Sequence, residues 1–382
     1  PMNWPNKLQH EADRLWRRYR WYLRPFKYRA YRRWLAAQTR LIPADQPLVL
    51  FDFRDSRIDG PQGRRFYTLF MFFVRNHYFP VLARSYLFLA NIDKKEKRHT
   101  LSETFAIIDP GEPMPAPFIL VTDRGSSAWA SAAQRIVRID YRPGYIAGDG
   151  SYPMPFPLFP GVYARGEDKK IVRFRRGKRP WRVFFGGDAL LGKYSKSSIT
   201  EVYGKLPRTD VLEILRQALP PKHWVDPPDQ ASFEAIRGQS FDGLVIMNTR
   251  NCRVPVDDWL WTVADGWFYL ACPGYRYPMS HNIIEALAVG SVPITQYPEL
   301  FFPPLEDGVN CLVFRGADDL PGVVQRASTL PLEDVAAMSE AAARYYDEHL
   351  SPAATLRGLL AMPGHSVRLR LVPFLKPGGG YA

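Results

Sequence analysis

The chain has 382 residues, of which 46% are apolar and 23% charged, so it can bury a sizeable core and is not wholly disordered. By length we expect two to three domains. The formal net charge of +13 favours anionic partners such as phosphorylated ligands, acidic lipid or nucleic acid.

Cysteine usage and hydropathy point to a cytoplasmic protein. The three cysteines show no C-x-x-C spacing, which is typical of reduced core thiols. The longest apolar run, 66–74, is far shorter than the roughly 20 residues that a spanning helix needs. We therefore expect a cytoplasmic location, with peripheral contact to the inner membrane as an option.

Residues 2–40 predict a basic helical arm, because eleven Lys and Arg stand against two acids and apolar residues recur at helical spacing. Pro25 interrupts the pattern, which resumes from Tyr28 to Leu35. A basic helix with aromatic residues at its boundary suits an anionic membrane surface. Two alternatives stay open: a helix packed on its own domain, and single-stranded nucleic acid. No nucleic-acid-binding module follows, so we expect no nucleic-acid partner.

Strand-like and helix-like segments alternate over 41–165, which predicts a first α/β domain with a parallel sheet. The expected helix is 65–76, and a Gly-rich loop, 54–63, precedes it. The expected strands are 48–53, 78–83, 104–108, 118–122 and 135–140.

Ligands of parallel sheets bind beyond the carboxyl ends of the strands. By that rule Asp55, Asp59, His77 and Asp123 are the residues of interest in the first domain. Asp55, His77 and Asp123 are our candidates for a general base.

A linker is expected between two domains. Prolines recur through 152–160 and exclude a regular helix there. The segment 169–179 is densely basic, and we place the linker at 166–180.

A second α/β series follows over 181–345. Its expected strands are 181–185, 243–247, 267–271 and one that begins at 292. Its expected helices are 211–218, 232–236, 258–264, 283–289 and 332–350. Residues 346–382 form a tail that can cross back to the first domain.

One partial motif resembles a phosphate-binding loop. Gly187 to Lys193 fits G-x-x-x-x-G-K after a strand, but Tyr194 stands where a magnesium-binding Ser or Thr belongs. A Gly-rich turn after the first strand of any doubly wound domain gives the same partial match. A nucleotide phosphotransferase therefore stays as an alternative, as does a non-catalytic protein that binds anions or membranes.

Other catalytic signatures are absent from the sequence. It contains no G-x-S-x-G, no H-E-x-x-H and no G-x-G-x-x-G, and its seven histidines form no close-spaced cluster. No D-x-D pair occurs either. We therefore expect no metal and no resident cofactor.

The most informative stretch is a βαβ unit. The apolar strand 267–271 leads into a Pro/Gly loop, and a helix over 283–289 follows, with Ser280 or Asn282 expected as its cap and Gly290 as its stop. A strand begins at 292. Exposed N–H groups at such a helix start attract phosphate.

This stretch resembles the donor-binding motif of GT-B glycosyltransferases, most closely the exostosin-like group. The resemblance lies in Pro273-Gly274, in Glu285-Ala on the helix and in the Val-Pro that follows Gly290. Upstream, a strand ending in Gly186-Gly187 and the later Arg208 are similar to other marks of that group. The matches span 181–315, whereas the N-terminal half agrees only in its α/β rhythm. The resemblance implies two Rossmann-like doubly wound domains that face a cleft.

The resemblance also implies roles for individual residues in binding a nucleotide sugar, which is the expected co-substrate. Glu285 would bind the ribose hydroxyls, and Arg208 would neutralise diphosphate charge. The alternatives are a glutamate that complements the helix dipole and a solvated surface arginine. The remaining expected donor-side residues are Gly187, Lys193, Tyr275, Arg276 and the helix start Ser280, His281 and Asn282. For the helix start, plain capping is the alternative.

One departure from the wider superfamily bears on mechanism. Retaining members carry a second glutamate eight positions before the helix glutamate, and Tyr277 occupies that position here. Inversion is therefore favoured, and it needs a base on the acceptor side. We expect transfer to a glycan or lipid-linked acceptor, in bacterial capsule or lipopolysaccharide biosynthesis.

Overall fold

The computed structural model describes residues 12, 15–16, 24–38, 41–189, 197–274 and 277–372. The strands in this part of the chain are β1 (Leu48–Asp52), β2 (Phe79–Ala83), β3 (Ala106–Ile108), β4 (Phe118–Thr122), β5 (Arg135–Pro143), β6 (Ser151–Pro153), β7 (Trp181–Gly187), β8 (Trp224–Val225), β9 (Phe241–Asn248), β10 (Gly266–Leu270), β11 (Val292–Thr295), β12 (Leu312–Val313) and β13 (Ser366–Val372).

The α-helices in the same residues are α1 (Pro25–Gln38), α2 (Arg64–Val74), α3 (Tyr86–Leu89), α4 (Pro160–Arg165), α5 (Ile171–Arg175), α6 (Ser197–Tyr203), α7 (Arg208–Ala218), α8 (Gln230–Ile236), α9 (Val256–Ala264), α10 (His281–Val289), α11 (Leu320–Thr329), α12 (Leu332–Tyr345) and α13 (Pro352–Ala361). A π-helical turn, Tyr346–Leu350, follows α12 directly. Among these helices, none has the length and apolar character that crossing a bilayer requires.

The chain divides into two compact units, each with its own sheet. The first unit holds residues 1–142, 147–152 and 356–371, and the second holds 143–146, 153–355 and 372–382. The expected α/β class with two parallel sheets is confirmed.

The first sheet has the strand order β3-β2-β1-β4-β5-β13-β6. Neighbouring strands from β3 through β5 pair in parallel. Strands β1 and β4 are buried along their whole length, as expected for parallel strands covered on both faces. On one face, the rings of Phe66, Phe70 and Phe73 in α2 lie 5.7–5.9 Å from the ring of Phe51 in β1.

The second sheet has the order β12-β11-β10-β7-β9-β8, and all its strand pairs are parallel. Helix α10 is the buried centre of this unit, with every residue but Asn282 buried. It ends at Gly290, whose φ of 74° is the left-handed conformation predicted for a C-terminal glycine cap.

The expected linker at 166–180 differs from what the structure contains. Residues 160–175 fold into α4, the 3-10 turn Glu167–Lys170 and α5, all within the second unit. Pro160 is the first residue of α4, a position where its missing N–H is tolerated. Ile171 and Phe174 are buried, with Phe174 5.8 Å from the ring of Trp261. The chain passes between the units at 142–153 instead.

The C-terminal segment also contains regular structure. Residues 356–371 belong to the first unit, and β13 is a strand of the first sheet beside β5. Alternate side chains of β13, namely those of Val367, Leu369 and Leu371, are buried. The intervening Arg370 is buried as well, where it pairs with Asp149 at 2.6 Å.

Candidate functional site

The order of the second sheet reverses between β7 and β10. From β7 the chain builds β8 and β9 on one side of the sheet, and β10, β11 and β12 on the other. The loops that leave two such neighbouring strands diverge, and ligands of open α/β sheets bind in the crevice between them. In this chain the relevant loops begin at Asp188, after β7, and at Ala271, after β10.

Arg208, the first residue of α7, joins these two loops. Its Nη1 donates to the main-chain carbonyl of Asp188 at 2.8 Å, and its Nε donates to that of Pro273 at 3.2 Å. The side chain is only 7% exposed. Gly187 lies against it, since a Cβ there would be 3.2 Å from Nη1. A guanidinium charge is thus fixed at the carboxyl edge of the second sheet, and its expected role toward a diphosphate stays a prediction.

The start of α10 is attached to the end of β7. The amide Nδ2 of Asn282 donates to the carbonyl of Gly186 at 2.7 Å and to the Tyr269 hydroxyl at 2.8 Å. The Tyr269 hydroxyl donates to the same carbonyl at 2.7 Å. Gly186 and Gly187 therefore have Asn282 and Arg208 as direct neighbours, and the helix start lies at the edge that carries the arginine.

Ser280 occupies the N-cap position of α10. Its backbone is extended, with φ −138° and ψ 163°, but its side chain makes no capping hydrogen bond. Asn282 lies inside the helix, so it is not the cap. The positive end of the helix dipole together with a nearby guanidinium suits an anion, and phosphate in particular.

Two residues expected to face the donor contact the segment 156–159 instead. The carboxylate of Glu285 is 1% exposed, and it accepts from the Phe159 N–H at 3.0 Å and from the Trp259 indole N–H at 2.6 Å. His281 Nδ1 lies 2.8 Å from the carbonyl of Pro157, a distance that identifies Nδ1 as the protonated nitrogen. These contacts explain the burial of both side chains. Their expected roles toward ribose and phosphate stay predictions.

Three further expected donor-side residues, Lys193, Tyr275 and Arg276, lie outside the described residues. The phosphate-loop alternative rests on Lys193 and lies outside them as well.

The structure adds residues that the sequence analysis missed. Gln296, directly after β11, accepts from the Leu206 N–H and donates to the Leu206 carbonyl, both at 2.8 Å. Lys205 pairs with Glu299 at 2.7 Å. These contacts hold the chain just before α7 and so position Arg208. Gln296 directly follows β11, so the strand-end rule, applied to the strand expected from residue 292, would have drawn attention to the loop that contains it.

The first sheet has a corresponding reversal between β1 and β4. Asp123, just beyond β4, accepts from the Arg54 N–H, just beyond β1, at 2.8 Å. Its other oxygen accepts from the Tyr141 hydroxyl at 2.8 Å. Burial raises the pKa of Asp123 above its ordinary value, and the charge of nearby Asp55 contributes. Asp123 and Asp55 thus lie at the carboxyl edge, as the strand-end rule expects.

Asp55 has a local structural task. It accepts from the Arg57 N–H at 2.8 Å and so caps the 3-10 turn Ser56–Asp59. The Arg57 guanidinium lies 4.2 Å from the ring centre of Tyr141. Tyr141 had no sequence signal, because the predicted strand ended one residue before it.

The carboxyl-end position expected of His77 is wrong. His77 is exposed, has φ 64°, and lies two residues before β2, which is the amino end of that strand. Helix α2 ends at Val74, two residues before the predicted end. His77 precedes the expected strand 78–83 as well, so the strand-end rule did not apply to it. Asp59 is buried against Lys97, at 2.8 Å, and Asn91 donates to it at 2.8 Å.

No group of three or more His, Cys, Asp or Glu side chains in the described ranges is arranged to hold a metal ion.

No family model matches this chain, and no curated protein matches it. Solved structures with detectable similarity include a glycosyltransferase from Rickettsia africae, with a TM-score of 0.42 and 11% identity over 82% of this chain and 97% of that one. Another is HepE of Anabaena in complex with UDP-glucose, with a TM-score of 0.41 and 10% identity over 81% and 98%. A third is the N-terminal domain of Candida albicans trehalose-6-phosphate phosphatase, with a TM-score of 0.42 and 9% identity over 85% and 98%. Similarity at this level is no evidence of shared activity.

Proposed function

We propose that this protein is a glycosyltransferase of the GT-B type that uses a nucleotide sugar as donor. The observation that carries the proposal is Arg208, a buried guanidinium that bridges the loops after β7 and β10 at the reversal of the second sheet. Beside it, the start of α10 presents an N-cap serine whose side chain is not used in capping. Both features suit a diphosphate.

The proposed chemistry follows from charge. When the bond from the anomeric carbon to the nucleoside diphosphate breaks, the leaving group gains negative charge on its phosphate oxygens. A fixed cation and a helix N-terminus stabilise that charge without reorganising, and such stabilisation is commonly a large part of catalysis. Arg208 is already held by two carbonyls, so it needs no rearrangement to act.

On the acceptor side we propose Asp123 as the general base. A base must take the proton of the acceptor hydroxyl as that hydroxyl attacks the anomeric carbon. Its raised pKa makes Asp123 a stronger base than an exposed aspartate. The hydrogen bonds that it accepts from Arg54 and Tyr141 fix the orientation of its carboxylate. A general base on the acceptor side, together with Tyr277 at the position where retaining enzymes carry a second glutamate, favours inversion at the anomeric carbon.

The finer parts of the proposal rest on the sequence resemblance. They are membership of the exostosin-like group, an acceptor that is a glycan or a lipid-linked sugar, and a role in bacterial capsule or lipopolysaccharide assembly on the cytoplasmic side. No metal or resident cofactor is proposed, and retention of activity in a chelator would test that. Proton NMR of the product anomer would test inversion.

A thermal-shift screen against UDP-, GDP-, ADP-, TDP- and CMP-linked sugars tests the main proposal. One nucleotide class should raise the melting temperature by several degrees at saturating concentration, since a ligand at about 100 times Kd adds roughly 2.7 kcal/mol. The shift should shrink in Ser280→Ala, which removes no capping bond and so should leave the unliganded protein intact. It should persist in Arg216→Ala, an exposed arginine on the same helix as Arg208. A panel without any stabilising nucleotide would contradict the proposal.

A further inference from the structure

Helix α1 concentrates positive charge on the surface of the first unit. Within its 14 residues it carries Lys27, Arg29, Arg32 and Arg33 and no acidic residue. The helix therefore carries four positive charges with no acidic residue of its own to balance them.

The inner face of α1 packs on the first unit through residues at helical spacing. The ring of Tyr28 lies edge-on to that of Tyr86 at 4.3 Å. The Tyr31 hydroxyl donates to Asp93, and Leu35 is 1% exposed. Lys27 also pairs with Asp93, at 3.6 Å, so its charge is used internally. These contacts fix which side of the helix faces outward.

The outer face is set by the same periodicity. Phe26, Arg29 and Arg33, together with Ala30 and Ala37, recur at the spacing of one helix face and are all exposed. Phe26 is 80% exposed, which is unusual for a phenylalanine. The face from residue 26 to residue 37 is about 16 Å long at 1.5 Å per residue. It joins one exposed aromatic ring, that of Phe26, to the two outward arginines, with two alanines on the same face.

We propose that this outer face of α1 docks the protein on an anionic lipid membrane. The arginines would meet acidic headgroups, and Phe26 would insert at the boundary between headgroups and acyl chains. Trp34, 36% exposed at the flank of the same helix, and Leu41, 95% exposed just beyond it, extend the apolar contact. The alanines let a flat surface approach the helix closely.

The geometry favours a membrane over single-stranded nucleic acid. Proteins that bind single strands align several aromatic rings in a basic groove, so that successive bases can stack. Here the outward face is the convex surface of one helix, with Phe26 at one end of it and Trp34 at its flank. A plane of acidic headgroups complements such a face.

Vesicle flotation of the full chain tests the proposal, with vesicles of phosphatidylcholine alone and of phosphatidylcholine containing phosphatidylglycerol. The protein should float with the anionic vesicles only. Arg29→Gln/Arg33→Gln should weaken that binding by about 30-fold, since each arginine near the surface contributes roughly a factor of five. Phe26→Ser should weaken it as well. The matched control is Arg173→Gln/Arg176→Gln, which removes the same charge from exposed positions in the second unit.

Circular dichroism and melting temperature would establish that each variant folds. Equal flotation of the α1 variant and the wild type would overturn the proposal, and so would an equal loss in the Arg173/Arg176 control. Binding of a single-stranded oligonucleotide without binding of anionic vesicles would overturn it in favour of nucleic acid. None of these three results bears on the proposed donor site, because the thermal-shift screen contains no lipid.

Discussion

The buried carboxylate of Glu285 offers a sharp test of what holds the start of α10. Its two oxygens accept from different donors, the main-chain N–H of Phe159 and the indole N–H of Trp259. Glu285→Gln keeps the shape of the side chain but replaces one acceptor oxygen with an NH2 group. The amide can still accept from Phe159, and its NH2 group then faces the indole N–H, donor against donor.

The expected cost follows from the hydrogen-bond inventory. A hydrogen bond to a charged acceptor contributes about 1.5–3 kcal/mol, and leaving a buried donor unsatisfied costs about 1–3 kcal/mol. Because both figures describe the same lost contact with Trp259, Glu285→Gln should lower the free energy of unfolding by about 1.5–3 kcal/mol. Trp259→Phe removes the opposing donor. The decrease in the free energy of unfolding of the double variant should thus be about 1.5–3 kcal/mol smaller than the sum of the decreases of the two single variants.

Urea unfolding followed by far-UV circular dichroism would supply the four free energies of the cycle. Indole fluorescence is unsuitable, because one variant removes a tryptophan. Costs that add within about 0.5 kcal/mol would refute the reasoning. Unchanged stability in Glu285→Gln, combined with loss of stabilisation by a nucleotide sugar, would instead favour the ribose role that the sequence suggests.

Three further changes test other parts of the structure. Lys97→Met should destabilise the protein by about 3–5 kcal/mol at pH 7, because Asp59 loses its buried cation. Burial raises the pKa of Asp59, so this loss of stability should become smaller as the pH falls and the carboxyl protonates. Denaturant titrations at two pH values would measure it, and a loss that stays the same at the lower pH would contradict the argument. Tyr141→Phe removes a hydrogen bond that lowers the pKa of Asp123, so the pKa of Asp123 should rise. The acid limb of the pH profile of kcat/KM should then move to higher pH. A move to lower pH would count against Asp123 as the base. Gly290→Ala places a Cβ on a residue with φ 74°, at 3.1 Å from the Ser339 hydroxyl oxygen. The free energy of unfolding should therefore fall by about 1 kcal/mol or more, which thermal melting would show. An unchanged melting temperature would contradict the steric argument.

Much of the fold follows from local sequence. The strand 118–122 was predicted with its observed bounds, because an apolar run between turn residues is a strong signal. Helix α10 and its glycine stop were predicted for a similar reason. The short helices α4 and α5 were missed, because prolines and basic residues look like a linker when the burial of Ile171 and Phe174 is unknown. Strand β13 was missed although Val367, Leu369 and Leu371 alternate, since a strand near a chain end carries no sign of its partner.

The site was predictable in part. The strand-end rule placed Asp55 and Asp123 at the carboxyl edge of the first sheet, where the structure has them. The resemblance singled out Arg208 and the start of α10, whose roles stay predictions. The rule did not apply to His77, because that residue precedes both the expected strand 78–83 and β2, and so lies at the amino end of the strand. Strand order is set by pairing between distant segments, so the reversal of strand order in each sheet was not visible in the sequence. One reversal brings Asp123 next to Arg54, and the other brings the loops of Asp188 and Pro273 within reach of Arg208. The contacts of Glu285 with Phe159 and Trp259 join residues 126 and 26 positions apart and were equally hidden.

The central claim is that the carboxyl edge of the second sheet binds the diphosphate of a nucleotide sugar through Arg208. Isothermal titration calorimetry with the nucleoside diphosphate of the class that stabilises the protein would test it most directly. Kd should rise by about 10- to 100-fold in Arg208→Ala, as expected for loss of a charge-assisted contact, while Arg208→Lys should recover part of the affinity and Arg216→Ala should match the wild type. Folded Arg208→Ala protein that binds the diphosphate as tightly as the wild type would contradict the account.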